Sequence, residues 1–208
     1  MPAADVSFAT DHRPVVLHYL TSGFFFLVLT ILIVLKAVDF QGHYFQPSIL
    51  AITHIGALGW ITMIIFGALY QMLPVILQGH LYSVRLTYIS YLLLVPGIIG
   101  LAFSFYQFRL DWLAQLSGIV VLLGIVVFAV NIFSTVKGAS ARHIASEFIT
   151  SAVLWLLVTV TLGVLLVFNL RHAFLPEEHL VYLKLHAHAG FGGWFLLLII
   201  GASSKLLP

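Results

Sequence analysis

Six uninterrupted apolar runs decide what this chain can fold into. They lie near Val15 to Val38, Ser48 to Leu77, Leu86 to Tyr106, Trp112 to Val136, Ser146 to Leu170 and Leu180 to Leu207. A helix needs about 20 residues to cross the roughly 30 Å of hydrocarbon in a bilayer, and each run supplies them. No water reaches the backbone there, so a single apolar run must satisfy its own N–H and C=O groups, which it does as an α-helix. The breaks hold turn-forming and charged residues: Asp39-Phe40-Gln41-Gly42, Gln78-Gly79-His80, Gln107 with Arg109 and Asp111, Lys137-Gly138, and Pro176-Glu177-Glu178. The sequence therefore predicts an all-α, polytopic transmembrane helical bundle of about six helices, with a tail over 1–14 and a membrane domain over 15–208.

Composition agrees. Of 208 residues 62% are hydrophobic and only 8% charged, against about 25% charged in an average soluble domain. The expected partner is the lipid bilayer, and a net charge of +2 with no basic block excludes nucleic acid. With no cysteine, disulfides, iron–sulfur clusters, thiolate copper centres and covalent haem attachment are all excluded. The segment before Val15 has no basic n-region or cleavage site, so the first helix is expected to act as its own insertion signal. Lys and Arg on the side of the termini are Arg13, Arg85, Lys137, Arg142 and Lys205, against Lys36, Arg109, Arg171 and Lys184 opposite. That five-to-four excess leans the termini toward the cytoplasm, with the chain in the inner (cytoplasmic) membrane.

An internal repeat is the strongest further signal. An offset of 134 residues pairs His54-Ile-Gly-Ala-Leu-Gly-Trp60 with His188-Ala-Gly-Phe-Gly-Gly-Trp194, and Leu73-Pro74 with Leu207-Pro208. Nine of the 21 positions from His54 to Pro74 are identical, and His, Trp and Pro are the matches least explained by an apolar composition. Helices two and six then read as equivalent parts of a four-helix internal repeat. The competing explanation is a glycine stripe for close packing in two unrelated spans.

Ten histidines are many for a chain with so few charges. His12, His43, His80, His143, His172 and His179 fall in tails, connections or helix ends, where solvated or interfacial roles suffice, and His18 is expected at the interface as well. His54, His186 and His188 lie inside spans. His54 is about six residues into helix two and His188 about eight into helix six, depths of roughly 9 and 12 Å from one side. Ionisable groups at such depth are costly and mark function by default, although a neutral imidazole can also settle by hydrogen bonding a neighbouring helix. Two helices each offering one imidazole can make a bis-histidine haem site, and Gly56, Gly59, Gly190, Gly192 and Gly193 give room for a ring. A neutral imidazole suits copper equally, so haem b (or a related non-covalent haem) and copper both stand as cofactors. His186 and His188 point about 200° apart on a helix and cannot share one metal, so either can be the partner of His54.

These residues resemble the haem–copper oxidase catalytic subunit (subunit I) superfamily, as a short or truncated oxidase-like member, and more distantly the NnrS-type haem- and copper-containing membrane proteins. The likeness rests on His54 with Gly59-Trp60, on His186-x-His188, and on the equivalence of helices four apart. It implies that His54 is a low-spin haem ligand, that His186 and His188 serve two metal centres, and that the six helices cover at most half of such a fold. It also leads one to expect a truncated chain, a second membrane subunit or a second copy, because Leu207-Pro208 falls where a repeat unit would continue. The copper-ligand segment of an oxidase is not readable, and Asp39, Asp111, Glu147, Glu177 and Glu178 are expected in connections, Glu147 at the very edge of its run, so no carboxylate relay for proton pumping is expected. The expected function is electron transfer, or handling of a diatomic gas such as O2 or NO, as a respiratory-type oxidoreductase subunit if an enzyme. Copper handling or transport, or a non-catalytic subunit of a membrane redox complex, are the alternatives.

Overall fold

In a computed structural model of the chain, residues 11–139 and 144–206 are described. They form six helices long and apolar enough to cross a membrane: α1 (His12–Leu35), α2 (Pro47–Ile76), α3 (Val84–Tyr106), α4 (Trp112–Lys137), α5 (Ile144–His172) and α6 (His179–Ser204). The chain is a polytopic membrane protein. Each helix lies within a few residues of its apolar run, because nothing else in the sequence competes for the hydrocarbon. Large apolar side chains such as Leu20, Phe24, Val34 and Leu92 are exposed on the outside of the bundle, which suits contact with lipid tails rather than water.

Helix ends follow local chemistry. Asp11 caps α1, its carboxylate accepting from the Arg13 N–H at 3.0 Å, so the helix starts at His12, ahead of the apolar run. Asp111 caps α4 through the Leu113 N–H at 3.0 Å and also holds the Arg109 guanidinium at 3.0 Å. The Leu113 N–H, and to a smaller degree Arg109, keep the Asp111 carboxyl below its ordinary range. Helices α2, α3 and α5 end in left-handed residues, Gln78, Phe108 and Ala173, the usual way of turning a helix end toward the next element. Asn131 of α4 fastens the α2–α3 connection by accepting from the Ser83 N–H and donating to the Ser83 carbonyl.

Consecutive helices run antiparallel and pack in chain order, α1 on α2, α2 on α3, α3 on α4, α4 on α5 and α5 on α6. Gly97 and Gly124 let α3 and α4 approach closely: an added Cβ would stand 3.0 Å from the Val121 backbone nitrogen and 3.2 Å from that of Leu94. Ser90 tightens the same seam by donating to the Gly124 carbonyl at 2.9 Å.

Both α2 and α6 change to a π-helix part-way, over Ile55–Thr62 and Ala189–Leu196. Each change begins on the residue after a histidine, His54 or His188. A π turn widens the helix by one residue while still pairing its backbone groups, as the membrane demands, and such turns occur often at functional sites. Gly59 and Gly193 accommodate rings of the preceding helix, Phe25 from α1 and Trp155 from α5.

His18 departs from expectation. It is fully buried, its Nδ1 bonded to the Pro14 carbonyl at 2.7 Å and its ring packed among Phe66, Tyr70 and Tyr91. Gly67 of α2 presents no side chain there, so α1 comes close enough to carry His18 inward instead of leaving it at the interface. Leu207-Pro208, His143 and the side chain of Lys205 lie outside what is described.

Candidate functional site

Helices α2 and α6 do not pack against each other over their first halves; they face one another across a cavity of about 330 Å³. Its walls also come from α3, α4 and α5, and its inner end is Trp194 of α6. Behind Trp194, Phe66 of α2 and Phe128 of α4 stack with ring centroids 3.4 Å apart, both edge-on to the indole. This aromatic core closes the cavity toward the middle of the bundle. The other end, marked by Tyr44 and Lys184, lies on the side where α2 and α6 begin.

Two imidazoles reach this space. His54 is the last α-helical residue before the first π segment, and its Nδ1 lies 2.8 Å from the Leu50 carbonyl one turn back. His186 projects from α6 to α5, its Nδ1 2.8 Å from the Thr159 carbonyl. A carbonyl oxygen only accepts, so in both rings Nδ1 carries the donated proton and Nε2 keeps its lone pair for a ligand. Fixing one ring nitrogen on a carbonyl is how proteins orient a metal-ligating imidazole. The two rings are 16° from parallel with centroids 6.4 Å apart. Phe105 of α3 packs on His54 at 4.7 Å.

The residues singled out in the sequence separate into two groups. His54, His186 and Gly190 line the cavity. His188 points outward, exposed, its Nδ1 on the Lys184 carbonyl at 2.7 Å. Gly192 is exposed on that same outer side, with nothing within 4 Å of an added Cβ. Gly56 and Gly59 face Leu29 and Phe25 of α1, not the cavity.

Three participants were not foreseen. Gly163 of α5 provides the space into which His186 leans, since a Cβ there would stand 3.0 Å from its Cε1. Thr159, one turn earlier, supplies the carbonyl. Lys184 is, among the described residues, the single charged residue lining the cavity. Only the spacing of Thr159 and Gly163, four apart on one face of an apolar helix, could have hinted at them.

Chemically, the cavity offers two neutral nitrogen donors inside a largely apolar lining. Among the described residues no group of three or more His, Cys, Asp or Glu side chains gathers to hold a metal ion. The Trp194 indole N–H, also at the cavity, is buried and finds no hydrogen-bond partner among the described residues. No family model, curated protein or solved structure matches the chain.

Proposed function

We propose that the cavity binds a non-covalent haem, of the b type or a close relative, with His54 and His186 as its two axial ligands, and that the protein carries electrons in the membrane. The spacing of the two rings carries this reading. Two metal–imidazole bonds of about 2.0 Å placed in line, with the ring half-widths added, span about 6 Å, against 6.4 Å between the centroids. A haem brings four nitrogens of its own and needs only an axial pair, which is what this cavity supplies. A copper(II) ion would ordinarily take further donors, and no third His, Cys, Asp or Glu joins the two imidazoles among the described residues. The donor set thus favours haem over a copper(II) centre.

When bound, the iron supplies a one-electron couple whose potential is set by axial ligands and burial. The chain's part is to hold both rings by their Nδ1 protons and to exclude water with Trp194, Phe66 and Phe128. With His54 and His186 both given to the iron, such a group would be suited to electron transfer rather than to gas binding.

Kinship with the haem–copper oxidase superfamily is part of the proposal. It is supported by the π segments, which lie 134 residues apart like the sequence match. It is also supported by Gly56, Gly59 and Gly67, which meet α1 where Gly190, Gly193 and Gly201 meet α5. On this reading α1–α2 and α5–α6 are equivalent halves, the termini face the cytoplasm, and a second subunit or copy covers the outward His188.

Haem should copurify at about one per chain from haem-replete cells. His54→Ala and His186→Ala should each abolish the low-spin optical spectrum, and His188→Ala should leave it intact. Colourless wild-type protein, or a spectrum indifferent to both cavity substitutions, would overturn the proposal.

A further inference from the structure

The haem reading leaves a question of orientation, because a haem carries two carboxylates and the cavity is largely apolar. A carboxylate turned toward Trp194 would sit deep in the bundle near a neutral N–H, and burying an ion costs several kcal/mol even after relaxation. The opposite end holds Lys184, exposed to its surroundings and, among the described residues, the single charged residue of the lining. Lys184 precedes His186 by two residues on α6, so the two side chains leave opposite edges of the helix, yet both residues border the cavity. No carboxylate pairs with it: the ion pairs among the described residues are His12 with Asp11 and Arg109 with Asp111. Glu177 and Glu178 lie before α6 and do not line the cavity. Among the described residues the Lys184 side chain thus has no ion-pair partner at this end of the cavity.

We infer that Lys184 is a positioning residue that pairs with a carboxylate of the haem, fixing which edge of the macrocycle faces the side where α2 and α6 begin. This rests on the haem reading and adds a specificity to it, a preference for a porphyrin with free acid side chains. A charge-assisted hydrogen bond of this type, partly exposed, gives modest affinity and strong orientation. A lysine that only reaches the headgroup layer, or pairs with a lipid phosphate, gives no such preference.

The test uses the full chain in detergent micelles, stripped of haem and titrated with haem or with haem dimethyl ester, whose carboxylates are blocked. Wild type should bind haem about five- to tenfold more tightly than the ester. Lys184→Gln should lose that difference by weakening haem alone, and Lys184→Arg should keep it. A low-spin spectrum with equal discrimination in wild type and Lys184→Gln overturns the carboxylate anchor and leaves the haem site standing. No low-spin spectrum with either porphyrin in wild type overturns both.

Discussion

Gly163→Ala asks whether the placement of His186, rather than its presence, makes the site. The new Cβ would stand 3.0 Å from Cε1 and 3.4 Å from Nδ1 of the imidazole, so the ring must give by a few tenths of an ångström. It is not free to do so, because Nδ1 is held 2.8 Å from the Thr159 carbonyl on the helix that carries the added methyl. Overpacking a fitted site costs about 1–3 kcal/mol, and a strained or lost hydrogen bond about 0.5–1.5 kcal/mol. If about 1–3 kcal/mol of this falls on the bound state alone, haem affinity drops about five- to 150-fold. Folding should not suffer in parallel, since replacing an interior helical glycine by alanine favours the helix by about 1 kcal/mol. Gly118→Ala is the control: Gly118 also lines the cavity, but its Cβ would meet Val164 at an ordinary 3.5 Å. Titration of haem into stripped protein, followed in the Soret region, measures both variants. Equal affinity and identical spectra for Gly163→Ala and Gly118→Ala would refute the idea that Gly163 sets the ring's position.

Other outcomes follow from the packing and the caps. Gly97→Ala places a Cβ 2.9 Å from Val121 Cγ2 and 3.0 Å from its backbone nitrogen; it should destabilise the α3–α4 pair by about 1–3 kcal/mol. Gly23→Ala, interior to α1 with nothing within 4 Å of the new Cβ, should keep or raise the thermal midpoint in detergent. For Asp111, a folded carboxyl held below its ordinary range stabilises at pH above that range, and the contribution is lost as pH falls through the lowered value. Between about pH 5 and pH 3 wild type should therefore lose more stability than Asp111→Asn, whose amide still caps but does not titrate. His188→Ala should change neither haem content nor spectrum, because its ring faces outward.

The helices were legible because span length is a one-dimensional property, and the apolar runs state it directly. The start of α1 moved to His12 only because Asp11 caps it. The opposed directions of His186 and His188 follow from helical periodicity, but which of them turns inward depends on Thr159 and Gly163, on a helix the pattern of α6 does not describe. The glycines mislead for a related reason. Gly56 and Gly59 follow His54 closely in sequence, yet α1 takes up their space, while the room beside His186 comes from Gly163. Nor did composition reveal the π segments, whose extra residue per turn is a choice of hydrogen bonding rather than of side chain. His18 was misplaced because depth along a helix does not say how closely its neighbour packs, and Gly67 brings α1 and α2 together there.

The central claim, two imidazoles from α2 and α6 on one haem iron, is tested most directly by low-temperature electron paramagnetic resonance of the oxidised protein. A low-spin ferric signal of bis-imidazole type is expected, at about one spin per chain, replaced by a high-spin signal or lost in both His54→Ala and His186→Ala. A protein that holds no haem, or a ferric signal unchanged by either substitution, would contradict it.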